Sequence, residues 1–163
     1  MNQEQSALIM LGLMALALAG AWWGWRRRRN EYVAWAQHFT FWDEATETPL
    51  DFECWYVGTS EAGLPLQRVA VGPLSYRAKA TLGLHATGLV FQARGSQALV
   101  FPAEGLSAGR ATWTIDRTVE PDGLLVVQWS LGPQLVESYF RLVDNDLGQV
   151  ITAINTMSQE KQV

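Results

Sequence analysis

An uninterrupted apolar segment near the N-terminus constrains this chain more than any other feature. Residues 7–25 read ALIMLGLMALALAGAWWGW, nineteen positions without a charged side chain. At a rise of 1.5 Å per residue, a helix of this length spans roughly 28 Å, close to the roughly 30 Å hydrocarbon core of a bilayer. The segment predicts a transmembrane helix, so we expect a single-pass protein of the cell membrane whose first partner is the lipid bilayer.

The residues at the end of this segment predict its orientation. Indole rings prefer the headgroup boundary, and positive residues are retained on the cytoplasmic side. The expected anchor residues of both kinds are Trp22, Trp23, Trp25, Arg26, Arg27, Arg28 and Arg29. We therefore expect the N-terminus outside and the C-terminal domain in the cytoplasm. A cleavable signal peptide is the alternative, but its positive charge precedes its apolar stretch, whereas MNQEQS carries only Glu4.

The charge that follows the anchor excludes some partners. Past residue 30 the chain keeps eight of its twelve basic residues and 15 of its 16 acidic ones, a net charge of -7. Nucleic acid is not an expected partner, because phosphate binding needs clustered Lys and Arg. The expected loop after the first strand, residues 58–65, contains Glu61 and no basic residue. Specific phosphoinositide binding is therefore not expected either.

Three segments are predicted, with boundaries at residues 1–29, 30–49 and 50–163. The first is the anchor with its arginine stop. In the second, Tyr32, Trp35, Phe39 and Trp42 recur at helical spacing and predict a short juxtamembrane helix over residues 30–42. That helix continues the anchor, packs on the domain or lies in the membrane interface. Residues 43–49, DEATETP, are acidic, end in Pro and predict a linker.

The third segment has the pattern of a mainly β domain closed by a helix. About seven short strands are expected between residues 53 and 143, separated by Gly and Pro turns. Residues 79–86 and 110–119 alternate small or apolar residues with polar ones, as half-buried strands do, and residues 124–131 form a nearly continuous apolar run between two turns. A C-terminal amphipathic helix follows, with one apolar stripe. The stripe comprises Leu147, Val150, Ile151, Ile154 and Met157.

The wording of several segments resembles a known family. The phrases are YVGTSEAGLPLQRV, LSYRAKATLGLHATGLVFQ, ALVFPAEGL, PDGLLVVQWSLG and ESYFRL. With the anchor and WRRRR, they resemble actinobacterial single-pass membrane proteins that carry a PH-like (pleckstrin-homology-like) domain and are often labelled export or membrane proteins. The resemblance covers about residues 8 to 155. It implies a partly open β-barrel closed by the C-terminal helix, and it implies no established activity.

Catalytic chemistry finds no support in the sequence. The two histidines, His38 and His85, are expected on the surface, and neither accompanies a nucleophile. The one cysteine, Cys54, is expected to be a buried structural thiol. No glycine-rich phosphate loop and no metal-ligand spacing is present. We therefore expect no enzyme, no cofactor and no metal.

The function most consistent with these features is that of a membrane-tethered, non-catalytic interaction module. It would present a strand edge and loops of the PH-like domain to a cytoplasmic or membrane protein, which the sequence does not identify. One alternative is an accessory subunit of a respiratory or transport complex, bound through the transmembrane helix. Another is an uncharacterised enzyme or carrier component. The candidate interaction residues are Trp35, Phe39, Trp42, Trp113 and Trp129, with at least one of the last two expected to face outward.

Overall fold

A computed structural model of the protein describes residues 3–43, 50–112 and 122–160. The chain divides into two compact units, Met1–Ala34 and Trp35–Val163. The first unit is a single helix, α1 (Gln3–Trp35). Its apolar stretch is long enough to cross a membrane, and none of that stretch is buried in protein. A signal sequence near the N-terminus passes the same test of length and composition.

The second unit is built on one antiparallel sheet with the strand order β1-β6-β5-β4-β2-β9-β8-β7, and β3 pairs with β2. In the described residues the end strands do not pair with each other, so the sheet stays open, as the resemblance implies. The strands are β1 (Thr40–Phe41), β2 (Leu50–Glu61), β3 (Leu64–Arg68), β4 (Ala78–His85), β5 (Gly88–Ala93), β6 (Leu99–Pro102), β7 (Ser107–Ala111), β8 (Leu124–Leu131) and β9 (Gln134–Leu142). Two short 3-10 helices, Ala36–His38 and Gly72–Leu74, lie outside the sheet.

The long strand β2 lies at the centre of the sheet. Its first half pairs with β4 and its second half with β9. The register shifts between Tyr56 and Gly58, which makes Val57 a β-bulge that bends the strand. Because side chains alternate along a strand, Cys54 and Tyr56 are buried while Trp55 between them faces solvent.

The helix α2 (Leu147–Glu160) begins where the sequence predicts it. The carboxylate of Asp146 accepts a hydrogen bond of 2.9 Å from the backbone N–H of Gln149, so it caps the helix. Within the predicted stripe, Val150 and Ile154 are fully buried, and the other members are half-buried. The stripe thus packs on the domain, as predicted.

Polar side chains fasten α2 to β7 at one end of the open sheet and to the segment just past β6 near the other end. The side-chain amide of Asn155 accepts a hydrogen bond from the backbone N–H of Ala108 at 2.8 Å and donates one to the carbonyl of Ala108 at 3.0 Å. It thereby takes the place of a neighbouring strand at the edge of β7. One turn later, the hydroxyl of Ser158 donates to the carbonyl of Ala103, just past β6. The helix therefore bridges the gap that the sheet leaves.

A chain of buried hydrogen bonds crosses the interior of the sheet. The indole N–H of Trp129 donates to the Ser138 hydroxyl at 3.0 Å, which lies 2.7 Å from that of Thr59. Thr59 in turn lies 2.8 Å from the hydroxyl of Tyr56, which donates to the carbonyl of Leu74. Since an indole N–H only donates and a carbonyl only accepts, every hydroxyl must pass its hydrogen toward Leu74. All hydrogen bonds of this chain can form together only when the hydroxyl hydrogens point in this direction.

The structure differs from the predicted elements at two places. The juxtamembrane helix expected over residues 30–42 ends at Trp35, because Phe39 adopts an extended conformation and β1 begins at Thr40. Strand β1 is not predicted by the sequence, and it brings the strands of the described residues to nine rather than about seven. The strand expected over residues 110–119 begins earlier, as β7, and residues 113–121 lie outside the described residues.

Candidate interaction surface

The outer face of the sheet carries a cluster of basic side chains around an exposed tryptophan. We name this cluster the Trp55 face, and it consists of Trp55, Arg77, Lys79, Arg94 and Arg141. All five side chains are exposed, and Trp55 retains 40% of its accessible surface. The cluster thus combines Trp and Arg side chains, the residue types that contribute most to binding at protein interfaces.

Strand register builds the Trp55 face from distant parts of the chain. Trp55 on β2 pairs with Lys79 on β4 and with Arg141 on β9, so the three side chains emerge on the same side of the sheet. The backbone N–H of Arg94 donates to the carbonyl of Lys79, which extends the row to β5. The row therefore crosses β9, β2 and β4 and reaches Arg94 directly after β5, and Arg77 lies beside it just before β4.

A cation–π contact holds the centre of this surface. The ammonium of Lys79 lies 5.4 Å from the ring centroid of Trp55. On either side of the indole there is an open depression, of about 440 Å³ towards β5 and about 430 Å³ towards Arg77 and Arg141. Both depressions are shallow, so they suit a chain lying on the surface better than an enclosed small molecule.

The Trp55 face concentrates the positive charge of an otherwise acidic domain. It holds four of the eight basic residues that follow residue 30. Across the described parts of the chain, the recorded ion pair joins Arg27 to Glu31 within α1, and none involves a basic group of this face. The nearest acidic side chain on the same side of β2 is Glu53, which lines the larger depression. Guanidinium groups without a described carboxylate partner are suited to binding anions.

Of the candidate interaction residues, Trp129 packs in the core and is not available to a partner. Only 1% of its surface is accessible, and its ring stacks on Phe101 at a centroid distance of 4.1 Å and an interplanar angle of 7°. Its N–H donates a hydrogen bond to the Ser138 hydroxyl, so the indole N–H has its partner inside the domain. Trp113 lies outside the described residues, and its role stays a prediction.

The other three predicted interaction residues lie in the segment before the linker and are half-buried. The ring of Phe39 makes an edge contact with Phe41 at 6.1 Å, and Trp42 makes one with His85 at 4.6 Å. Trp35 is the last residue of α1. Phe39 and Trp42 thus pack on the domain, which leaves less of their surface for a partner.

The predicted anchor residues all lie on α1, and all of them are exposed. Two arginines fold back over tryptophans one turn earlier: Arg26 lies 5.4 Å from the ring of Trp22 and Arg29 lies 5.5 Å from that of Trp25. These pairs place cationic groups beside indole rings, as expected at a membrane boundary. Their placement at a membrane stays a prediction.

The residues considered for catalysis are poorly placed for it. Cys54 is buried as predicted, and this burial raises the pKa of its thiol to about 12, so the nucleophilic thiolate is not formed near neutral pH. His85 is half-buried and its Nδ1 lies 2.9 Å from the hydroxyl of Thr87. Within the described residues no group of three His, Cys, Asp or Glu is arranged to hold a metal.

The end strands of the sheet offer a partner fewer free backbone groups than the sequence suggests. At one end β1 is only two residues long, and at the other Asn155 occupies the backbone groups of Ala108 on β7. The expected loop over residues 58–65 is also reduced, because β2 runs to Glu61 and β3 starts at Leu64. Gly63 completes this tight turn with a φ of 74°. The outer face is therefore the more accessible surface.

An open antiparallel sheet of short strands, closed by a C-terminal helix, defines a domain of the PH-like class, whose members are typically non-catalytic. A family model described as Bacterial PH domain-like matches residues 40–155. The match covers more than half of the chain, and the protein belongs to this family. No curated protein and no solved structure matches the chain. The actinobacterial source implied by the resemblance stays a prediction.

The sequence shows several basic residues of the Trp55 face, but it does not show that they are neighbours. Arg77, Lys79 and Arg94 stand out as basic residues on or near predicted strands, together with Arg110, and each is most simply read as a solvated side chain. The structure brings the first three together, leaves Arg110 on β7 and adds Arg141. Alternation along each strand places the row residues outward, but only the strand order shows that they are neighbours.

Proposed function

We propose that this protein is a membrane-tethered, non-catalytic interaction module. In this proposal α1 spans the membrane, the PH-like domain lies in the cytoplasm, and the Trp55 face binds a protein partner. The observation that carries the proposal is the exposed indole of Trp55 among four basic side chains, on a domain whose end strands β1 and β7 are short or covered.

The physical case rests on where binding energy comes from. Trp and Arg dominate the residues whose truncation costs most at protein interfaces, because they combine a large contact area with directional hydrogen bonding. An exposed indole is unfavourable in the free protein and becomes favourable when a partner covers it. The arginine block after the apolar stretch supports the cytoplasmic side for the domain.

A photo-crosslinking experiment in native membranes tests this function. A photoreactive phenylalanine analogue replaces Gln92, an exposed residue that lines the larger depression. The matched control carries the analogue at Ser107, which is exposed on β7. We expect a defined crosslinked product from Gln92 that Ser107 does not give. Products that are the same at both positions would contradict the proposal.

Exchange of α1 separates this function from that of an accessory subunit held by its helix. In one variant an unrelated transmembrane helix of equal length replaces residues 7–25, and in the other Trp55→Ala is combined with Arg141→Gln. We expect the Gln92 crosslink to survive the helix exchange and to disappear in the double variant. The reverse pattern would show that the helix is the binding element.

A further inference from the structure

We infer that the Trp55 face binds an extended, acidic segment of the partner protein, an inference that rests on the function proposed above. The first argument is geometric. Arg94, Lys79, Trp55 and Arg141 form a row across β5, β4, β2 and β9. Neighbouring strands lie about 4.8 Å apart, so the row is about 14 Å long, which is the length of about four residues of extended chain.

The second argument is chemical. The two ends of the row are guanidinium groups, and each presents a planar fork that matches the two oxygens of a carboxylate. Between them the indole of Trp55 offers apolar surface, with Lys79 held against its ring. An extended segment with Glu or Asp two residues before and two residues after an apolar residue presents all three side chains on one face, so a carboxylate reaches each end of the row and an apolar group reaches Trp55.

The third argument is the narrowness of the positive surface. On β2, the side chains that precede Trp55 on the same face are Glu53 and Asp51, and both are exposed. A bilayer or a duplex would bring its phosphates against these carboxylates as well as against the row, because its surface is broad. A single extended segment lies along the row and avoids most of this repulsion. The charge distribution therefore favours a peptide over a lipid surface.

Peptide binding to the full-length protein in phosphatidylcholine nanodiscs tests this inference. The probe is a fluorescein-labelled peptide that repeats Glu-Ser-Leu-Ser, which places Glu and Leu on the same face of an extended chain, and its binding is followed by fluorescence anisotropy. We expect saturable binding that weakens as salt rises, and no binding of the matching Lys and Leu peptide. Trp55→Ala and Arg141→Gln should each weaken binding by about tenfold or more. Arg110→Gln is the matched control, since it removes the same charge from β7 and should leave the affinity unchanged.

Three results would overturn the inference. The first is absence of saturable binding, or an equal loss in Arg110→Gln while all variants keep the wild-type melting temperature. The second is displacement of the peptide by inorganic phosphate beyond the effect of chloride at equal ionic strength, which would indicate a small-anion site. The third is co-sedimentation of the nanodiscs with phosphatidylglycerol vesicles that Arg141→Gln abolishes, which would make the bilayer the occupant.

The outcome is separable from that of the proposed function. If the peptide does not bind while the Gln92 crosslink still depends on Trp55 and Arg141, the acidic segment is wrong and the interaction module stands. If the protein with the analogue at Gln92 and no other substitution gives no defined crosslink either, the module itself is refuted.

Discussion

The buried chain of hydrogen bonds through Ser138 gives a sharp test of how the sheet is held together. Ser138→Ala removes the acceptor of the Trp129 N–H and the donor to the Thr59 hydroxyl. Trp129 is 1% exposed and both hydroxyl-bearing residues are fully buried, so water does not replace the lost partner. An unsatisfied buried donor costs about 1–3 kcal/mol, and we expect a loss of about 2 kcal/mol in the free energy of unfolding.

A double-mutant cycle separates this loss from simple packing effects. Trp129→Phe removes the N–H together with part of the ring that stacks on Phe101, so it destabilises the domain by itself. In the double variant with Ser138→Ala, however, no indole N–H is left without an acceptor. We therefore expect the double variant to be more stable than the two single losses predict by addition, with a coupling of about 1–2 kcal/mol.

Urea unfolding of the full-length protein in a non-ionic detergent, followed by near-UV circular dichroism, measures these differences. A loss of about 2 kcal/mol corresponds to a midpoint shift of about 1 M urea for typical slopes. The matched control is Ser107→Ala, whose hydroxyl is exposed and donates to Gln128 at 3.3 Å. We expect it to change stability by less than about 0.5 kcal/mol. Equal effects of the two serine substitutions on the free energy of unfolding, or an additive double-mutant cycle, would refute the buried chain of hydrogen bonds through Ser138.

Three further predictions concern other parts of the molecule. Ile154→Asp places a charge at a fully buried position of α2 and should cost several kcal/mol in a thermal melt, while Ile151→Asp, at a half-buried position, should cost less; equal melting temperatures would contradict the packing of α2. Cys54 should react with a thiol reagent only after unfolding. Burial raises the pKa of this thiol from 9.0 to about 12, so the thiol of the unfolded protein ionises at lower pH than that of the folded protein. The stability of the folded protein should therefore fall as pH rises from about 9 to 12. Over this range, the urea midpoint of Cys54→Ala should fall less steeply with pH than that of the wild-type protein. Protease added to intact spheroplasts should leave the domain whole, and its digestion would refute the orientation inferred from Arg26 to Arg29.

Elements with a strong local pattern are predictable from this sequence. The apolar stripe of α2 indicates both the helix and the side that packs, because i, i+3 and i+4 spacing is set within one turn or two. Strand β8 has the bounds expected from its apolar run between two turns, Leu124–Leu131. The open sheet and the closing helix follow from the resemblance, and the family match supports them.

Features that depend on strand order are not predictable in the same way. The Trp55 face exists because β2 lies between β4 and β9. No local sequence pattern predicts that Arg141 lies beside Trp55. Trp129 shows the same limit: alternation permits either side of β8, and the stacking on Phe101 decides between them. The break after Trp35 also escapes local reasoning, since aromatic spacing continues across it while β1 pairs with β6.

The central position of β2 has a consequence for how the protein is made. Chains emerge from the ribosome N-terminus first, and β9, which completes one side of β2, is the last strand of the sheet. Until β9 appears, the later half of β2 has open backbone groups on the side that β9 later covers, which is a state prone to pairing with another copy. Pairing between such distant segments is also slow. During synthesis, β2 is therefore an edge strand at first, and it becomes a central strand only when β9 pairs with it.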